Sequence, residues 1–520
     1  MRSRYLGIGI ALLVAVVGLA LFSPFVTDDA FISLRYARHL AEGYGIVWNR
    51  GEAPVEGYSN FLHVMIAAAA IRLDLPPIGV LRGINWLSAL GIVVLLHRYA
   101  ARVTKVEWLP SAAAVIIAAH VPLAFWAASG LETALYSCLC LLAVLLFLSP
   151  RTATRRVSSL AFLLAALTRP EGVLFFAAAA TVALLGDRRA FLRSHGVWLL
   201  AFALPYGIYT LWRLLYFGAL FPTSVLYKAG AFTPGVVVMN FARDLPFLIP
   251  LALLAPFWRR GRAGVIPVLL IGSHLAIFWN VSPVVAHLHR FLVPLVPFAV
   301  VLAVIALDEL PGRLRQTRLR AALRAVPVIG LLAWALVNPF TGVSTARSSV
   351  LRLGERMAGR MKLADVLHAR LTVDATIAIG DVGIVGYLLE NPILDAFGLN
   401  SREFADGSPV QRYAYWATIP RRAPDAIALV SRTGGEFRPR YLLGRIALQH
   451  PESWKDYSED PIQLSAGPGY VYWVHFRPQT SAVRDPPLPR HFGDVCRDNT
   501  VRCIEPLRRK LGGSQAWLVP

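Results

Sequence analysis

The chain has 520 residues, of which 56% are hydrophobic and only 16% are charged, and its formal net charge is +21. Soluble domains are typically about 25% charged, so the composition excludes a wholly soluble protein and favours one embedded in a membrane. A basic excess can indicate nucleic-acid binding, but in membrane proteins Lys and Arg collect in the cytoplasmic loops. We therefore expect the lipid bilayer, and no nucleic acid, as a partner.

Apolar runs of a length that crosses a bilayer, about 20 residues, follow one another along the first part of the chain. The first, at 5–26, carries no charge and is followed by no small-residue cleavage site. This pattern predicts a retained span rather than a signal peptide. The further predicted spans lie at 78–96, 109–127, 131–148, 157–168, 171–185, 197–216, 245–258, 264–279, 291–307 and 325–340.

The distribution of basic residues predicts the orientation of these spans. Clusters of Arg and Lys follow every second predicted span, at 97–105, 151–156, 188–193, 259–262 and 313–324. With about eleven crossings, all these clusters fall on one side, which the positive-inside rule makes the cytoplasm. We therefore predict a multi-pass protein of the plasma (inner) membrane with a cytoplasmic N-terminus and an extracytoplasmic C-terminal part.

Two domains are predicted. Residues 1–340 form a transmembrane domain, in which the first outer loop, 27–77, is too long for a simple connection. Its apolar run 61–71 is too short to span and predicts a helix at the outer interface. Residues 341–520 have a soluble composition, with strand-like runs between helix-like segments. The predicted fold class is a polytopic α-helical membrane protein with a C-terminal extracytoplasmic α/β domain.

The four cysteines fall into two pairs. Cys138 and Cys140 lie in an apolar span and are expected to be packing residues. Cys496 and Cys503 lie in a polar segment near the end of the chain, on the predicted outer side. An oxidising compartment favours a disulfide between them, and two unpaired thiols are the alternative.

The acidic pair Asp28 and Asp29 is the most informative polar feature, because it directly follows the first predicted span. Carboxylates at a membrane interface are costly unless they are solvated, paired or functional. A structural role stays open, since Thr27 or Asp28 could cap a helix over 30–40. The following loop interleaves aromatic, charged and glycine residues, and this composition suits a sugar and a phosphate.

The loop also resembles a known family. It reads DDAFIS at 28–33, RYA at 35–37 and VEGYSNFL at 55–62. These runs resemble the mycobacterial terminal β-(1→2) arabinofuranosyltransferases, which belong to the GT-C class of polytopic glycosyltransferases. Further similar runs, which extend the resemblance over most of the chain, are SGLET at 129–133, TRPEG at 168–172, FPTSVLYK at 221–228, HLHRFLVP at 287–294, GDVGIVGY at 380–387 and DAFGL at 395–399.

The resemblance implies a GT-C-like fold and a sugar donor linked to polyprenyl phosphate, with decaprenyl-phospho-arabinofuranose as the family's example. It implies an acceptor in a cell-envelope glycan or glycolipid, and a catalytic acidic residue at Asp28 or Asp29. A positioned carboxylate can remove the proton of an acceptor hydroxyl, which is worth about 10²–10⁴-fold in rate. Alternatively the pair could hold a divalent cation, since oxygen ligands suit Mg²⁺, Mn²⁺ or Ca²⁺.

The lipid phosphate of the donor is the leaving group of the reaction, and it needs positive charge beside it. The predicted outer-side cations Arg169, Lys228 and Arg290 are candidates for this role, and snorkelling to lipid headgroups is the alternative for each. Glu132 and Glu171 lie at predicted outer turns, where they could bind sugar hydroxyls or pair with these cations. The complete set of predicted substrate-binding residues is Arg35, Tyr36, Trp48, Glu56, Tyr58, Asn60, Glu132, Glu171 and His289.

Two other classes of function are alternatives to a glycosyltransferase. A transporter or flippase for lipid-linked sugars usually has ionisable residues at mid-bilayer and paired repeats, whereas here the polar motifs gather at the predicted outer face. A non-catalytic assembly factor that keeps the same fold is the second alternative. Only an activity measurement on variants of Asp28 and Asp29 separates that alternative from an enzyme.

Overall fold

The computed structural model describes residues 2–185, 188–228, 262–280, 287–309, 317–403 and 418–478, and isolated positions between these ranges. Along 2–5, 188–194, 226–228 and 317–342, and at a few single positions, only the backbone is described. The predicted span at 245–258 and the predicted disulfide between Cys496 and Cys503 lie outside the described residues. The side chain of Lys228 also lies outside them.

Apolar helices dominate the described chain up to residue 309. Proline stands in the first helical turn, where it is tolerated, in Pro77–Val103, Leu109–Ala118 and Val121–Ala128. The helices are Arg2–Phe22, Asp28–Ala41, Phe61–Arg72, Pro77–Val103, Leu109–Ala118, Val121–Ala128, Thr133–Phe147, Thr152–Thr168, Gly172–Leu184, Arg188–Phe217, Thr223–Lys228, Arg262–Ile277 and Val296–Glu309, with short 3-10 helices at Phe278–Asn280, His287–His289 and Val293–Leu295.

Length and hydropathy qualify two described helices as membrane spans, Pro77–Val103 and His195–Phe217. A third span is obtained if Leu109–Ala118 and Val121–Ala128, which are bent by 50° at their break, cross together. Other apolar helices in the described part, such as Thr133–Phe147, have 10–17 residues. The number of crossings and the orientation of the termini therefore stay predictions.

The predicted outer loop contains two helices. Asp28–Ala41, called the loop helix here, has Thr27 at its N-cap position without a side-chain capping hydrogen bond. Its first turn carries both aspartates, which the positive end of the helix dipole favours. The run predicted to be helical at 61–71 forms Phe61–Arg72 and packs against the loop helix.

The long helix, Thr317–Arg370, leads into the tail. It has 54 residues, which corresponds to roughly 80 Å at 1.5 Å per residue. The predicted last span at 325–340 and residues 349–360, some of which line the cavity described below, belong to this one helix. The predicted domain boundary at 340/341 thus lies within a continuous helix.

The tail is built on a five-stranded sheet in the order β2-β1-β3-β5-β4. Strand β1 is parallel to β2 and β3, whereas β5 is antiparallel to β3 and β4. The predicted α/β character of the tail is confirmed. The strands and remaining helices are β1 Ile377–Ile379, the tail helix Val382–Leu388, β2 Ile393–Asp395, Pro420–Arg422, β3 Ala426–Ser431, Leu442–Gln449, Pro451–Trp454, β4 Ile462–Ser465 and β5 Val471–Phe476.

The tail helix Val382–Leu388 follows β1 directly and packs against the loop helix. Every one of its seven residues is buried. A side chain at Gly383 would collide with the backbone oxygen of Asp28, so only glycine permits this approach. The glycine-rich run at 380–387 therefore serves helix packing, and it brings the end of β1 beside the acidic pair.

Candidate active site

A cavity of about 650 Å³ lies between the start of the loop helix, the ends of several apolar helices and the tail. Its volume is within the roughly 300–1,000 Å³ typical of ligand pockets. Its wall is partly apolar, with Phe25, Trp126 and Met357 among the lining residues. The charged and amide side chains in the wall are Asp28, Asp29, Asn60, Glu132, His287, Arg290, Arg352, Arg356, Arg360 and Asp381.

Asp29 is the exposed member of the acidic pair. Its side chain is 63% exposed and lines the cavity, and its Oδ2 lies 3.7 Å from Nη1 of Arg290. Consecutive residues of a helix point about 100° apart, so the two neighbouring aspartates face different surroundings. Asp29 is therefore the carboxylate that a bound acceptor could reach.

Asp28 is instead held by the tail. Its Oδ1 accepts a hydrogen bond from the backbone N–H of Ile384 at 2.9 Å, and its Oδ2 accepts one from Gly383 at 3.3 Å. The Nε of Arg360 lies 3.7 Å from Oδ1. Burial raises the pKa of Asp28, and the opposing effects of Arg360 and the Ile384 N–H only partly offset it. Asp28 thus caps the tail helix across the interface between the two parts of the chain.

Arg360 links Asp28 to a second carboxylate, Asp381, at the end of β1. Its Nη2 donates to Oδ1 of Asp381 at 3.1 Å, and the hydroxyls of Tyr470 and Tyr472 donate to Oδ2, each at 2.5 Å. Burial alone would raise the pKa of Asp381, but Arg360 and the two hydroxyls outweigh it and hold the pKa below its usual value. The positive charge of Arg360 is therefore shared by two carboxylates.

Glu132 holds a second group of polar side chains at the cavity wall. Its Oε1 accepts hydrogen bonds from Arg169 at 2.6 Å and Arg290 at 2.9 Å, and its Oε2 accepts one from Asn60 at 2.9 Å. Only 1% of the Glu132 side chain is exposed. Arg169 also pairs with Glu171 at 3.0 Å. This network neutralises Arg169, and it fixes Arg290 between Glu132 and Asp29.

The predicted residues Arg35, Tyr36 and Trp48 do not line the cavity; they join the loop to the tail. The guanidinium of Arg35 donates to the backbone oxygens of Gly386, Leu389 and Asn391 at the C-terminal end of the tail helix. The hydroxyl of Tyr36 donates to Oδ1 of Asn400 at 2.9 Å, and the indole of Trp48 donates to the backbone oxygen of Ile393 at 3.0 Å. We call this contact between the loop helix, with Trp48, and residues 383–400 the joint.

The other predicted residues are divided between the cavity and structural contacts. Tyr58 and Asn60 line the cavity. Glu56 forms a buried ion pair with Arg213, with Oε1 2.9 Å from Nε. Arg169, Glu171 and His289 do not line it, although His287, two residues before His289, does.

Sequence reasoning missed the cationic face of the long helix. Arg352, Arg356 and Arg360 all line the cavity. Their spacing of four residues places them on one side of a helix, and this regular spacing was the available signal. The position of these arginines in the cavity wall could not be read from the tail's composition, because residues far apart in sequence meet only in the folded chain.

A divalent cation at the acidic pair stays a prediction. Both oxygens of Asp28 accept N–H groups of the tail helix, which leaves Asp29 as the accessible carboxylate. Among the described residues, no group of three or more His, Cys, Asp or Glu side chains could hold a metal ion. The described residues around the pair therefore do not form a complete protein cage for a cation.

Comparison with solved structures relates the whole architecture to known proteins. The crystal structure of ArnT from Cupriavidus metallidurans, bound to undecaprenyl phosphate, superposes with a TM-score of 0.53 at 14% identity. The match covers 92% of this chain and 99% of ArnT. The oligosaccharyltransferase AglB from Archaeoglobus fulgidus, in complex with an inhibitory peptide and a dolichol-phosphate, superposes with a TM-score of 0.54 at 10% identity, covering 82% and 69% of the two chains.

Both proteins belong to the GT-C class, so the GT-C-like membrane fold that the sequence predicted is confirmed. The arabinofuranosyltransferase AftD from Mycobacteria superposes with a TM-score of 0.46 at 17% identity, with 92% of this chain and 42% of AftD covered. That similarity is too low to bear on a substrate. A sequence family described as a domain of unknown function (DUF8728) matches residues 350–480, and comparison with curated proteins found no match.

Proposed function

We propose that this chain is a membrane glycosyltransferase that transfers a sugar from a polyprenyl-phosphate donor to a cell-envelope glycan or glycolipid on the outer side. One observation carries the proposal: an exposed carboxylate, Asp29, lies beside Arg290 and lines one cavity of ligand size together with further arginine side chains. A base beside a cluster of cations is what transfer from a phosphate-linked sugar requires. The solved relatives that hold undecaprenyl phosphate and a dolichol-phosphate support the lipid carrier.

Arabinofuranose is our best proposal for the sugar. It rests on the resemblance of the motifs around 28–37 and 55–62 to the arabinofuranosyltransferases. The cavity offers Tyr58 and Asn60 as neighbours for a sugar, and the hydroxyl of Tyr58 is buried without a hydrogen-bond partner among the described residues. The acceptor is proposed on the same resemblance.

In the proposed reaction Asp29 acts as the general base. The acceptor hydroxyl gives its proton to the Asp29 carboxylate, and its oxygen forms a bond to the anomeric carbon of the donor sugar. The bond between that carbon and the phosphate oxygen breaks, and the lipid phosphate leaves with the electron pair. The phosphate needs no protein acid, because arginine side chains can stabilise its negative charge.

Arg290 has two roles in this scheme. It lines the cavity 3.7 Å from Asp29, and Glu132 and the ring of Trp126, 5.5 Å from its guanidinium, hold it in place. It can therefore orient the Asp29 carboxylate and contact the donor phosphate. Arg169 lies behind Glu132 and acts on the cavity only through that residue.

The experiment is a transfer assay with the purified protein in nanodiscs, using decaprenyl-phospho-arabinofuranose and an arabinan oligosaccharide acceptor. Asp29→Asn is expected to lower kcat by about 10²–10⁴-fold, since the base is lost. The matched control is Glu52→Gln, which removes an exposed carboxylate of the same loop away from the cavity wall. A separate arm with EDTA tests for a metal requirement.

Transfer by the wild type that survives Asp29→Asn would remove Asp29 from the mechanism. Absence of transfer with this donor, but transfer with another polyprenyl-phosphate sugar, would replace arabinofuranose and keep the reaction class. Absence of transfer with every such donor, from protein whose unfolding is cooperative, would favour the non-catalytic assembly factor.

A further inference from the structure

The long helix supplies one wall of the cavity, and this wall carries three arginines. Its lining positions are 349, 352, 353, 356, 357 and 360. Arg360 pairs with Asp28 and Asp381. Neither Arg352 nor Arg356 has an ion pair with a carboxylate in the described part of the chain. Glu355 on the same helix interacts electrostatically with both arginines, but it does not line the cavity. The charge that this part of the helix presents to the cavity is therefore positive.

The contacts that Arg352 and Arg356 make in the described part of the chain leave most of their N–H donors available. One Nη2–H of Arg352 donates to Oγ of Ser349 at 3.3 Å. The guanidinium of Arg356 lies 4.8 Å from the ring centre of Tyr470, a cation–π contact that fixes its position without using an N–H donor. Each guanidinium has five N–H groups, so both can still bind an oxyanion.

Arg352 and Arg356 lie next to the part of the cavity that contains Arg290. Burial lowers the pKa of His287, and the nearby positive charge of Arg352 lowers it further. His287 and Arg290 belong to the same short segment of the cavity wall. Arg352 and Arg356 therefore extend a cationic region that begins at Arg290, beside Asp29.

Building on the proposed function, we infer that Arg352 and Arg356 bind the phosphate of the donor lipid and stabilise it as the leaving group. Side chains four residues apart on a helix are about 5–6 Å apart at Cβ, and arginine matches phosphate geometry with two parallel N–H donors. Arg169, by contrast, is bound by two carboxylates and does not line the cavity. Phosphate recognition is thereby assigned chiefly to the tail rather than to Arg169.

The inference is tested by lipid binding, which does not require catalysis. The dissociation constant of undecaprenyl phosphate is measured by native mass spectrometry on wild type and on Arg352→Gln and Arg356→Gln. Each change is expected to weaken binding about tenfold, which corresponds to about 1.4 kcal/mol, because a hydrogen bond to a charged group is lost. The matched control is Arg347→Gln, an exposed arginine of the same helix that does not line the cavity, for which a change of less than about twofold is expected.

Two further ligands identify what the arginines recognise. Undecaprenol, which lacks the phosphate, should bind wild type and variants equally. Inorganic phosphate should displace the lipid from wild type only at much higher concentration, because it lacks the apolar chain. Arg356→Lys, which keeps the charge but loses the planar donor pair, should weaken binding less than Arg356→Gln.

Unchanged affinity for undecaprenyl phosphate in both glutamine variants would overturn the inference. An increase in the KM for the acceptor without a change in lipid affinity would also overturn it, and would indicate an anionic acceptor at this wall. In the described part, the side chain of Arg352 makes a hydrogen bond only to Ser349 on its own helix, so its variant is informative even if Arg356→Gln loosens the tail. Loss of lipid binding in a protein that transfers no sugar would leave the inference intact while the proposed function failed.

Discussion

At the joint, buried charges meet fixed partners from the other side of the interface. Asp28 accepts two N–H groups at the start of the tail helix, and Arg35 donates to backbone oxygens at its end. In the neighbouring cavity, Asp29 is 63% exposed and Arg352 is exposed as well. The same residue types thus hold the chain together in one region and remain accessible to a ligand in the other.

The difference shows how one acidic motif can serve two purposes. The loop helix presents Asp28 to the tail and Asp29 to the cavity, because adjacent helical residues diverge by about 100°. A displacement of the tail helix must therefore also shift Asp28 and Asp29 in the wall of the cavity. Substitutions in the joint should lower stability more than transfer activity, whereas a substitution of Asp29 should lower activity more than stability.

The largest stability change is expected from Glu132→Gln in the cavity wall. Loss of this carboxylate leaves Arg169 and Arg290 buried with less compensation, and breaking a buried ion network typically costs about 3–5 kcal/mol. Thermal unfolding in detergent measures the effect. Glu171→Gln is the comparison, since Glu171 pairs only with Arg169 in the described part and is expected to cost less. Equal costs for the two variants would contradict a central role for Glu132.

A smaller change is expected from Asp28→Asn at the joint. Asparagine keeps the size and one acceptor oxygen but loses the charge that faces Arg360, and we expect a cost of about 1–3 kcal/mol. Hydrogen exchange should increase in 382–388, the residues that Asp28 caps. Residual transfer activity well above that of Asp29→Asn is expected, and activity as low as in that variant would break the distinction between the two aspartates.

The last effect, which is confined to a limited pH range, concerns Asp395, at the end of β2 within the joint. Burial raises its pKa to about 6, although N–H groups of Phe397 and Asn400 oppose the rise. A raised folded pKa means that its contribution to stability is present below about pH 4, the unfolded value, and is lost as the pH rises through 6. The wild type should therefore lose stability relative to Asp395→Asn between pH 4 and 6.5. A difference that is constant over this range would contradict the raised pKa.

Much of the architecture could be predicted from the sequence because it depends on local pattern. Apolar composition indicated the membrane part, alternating strand-like runs indicated the sheet of the tail, and the run at 61–71 formed a helix. The motif around Asp28 and Asp29 pointed to the region that lines the cavity. The number of membrane crossings was not fixed in this way, because many described helices are shorter than a standard span.

The roles of individual residues were decided by contacts between distant segments. Local sequence placed Arg35, Tyr36 and Trp48 beside the acidic pair, but their partners lie more than 300 positions further along, in the tail. Local sequence likewise gave no reason to connect Arg352 and Arg356 with Asp29. A helical period fixes which side chains share a face, whereas only the folded chain determines what that face meets. The sequence by itself therefore determined the fold class and the acidic motif, and the tertiary structure decided which aspartate is accessible and which arginines face it.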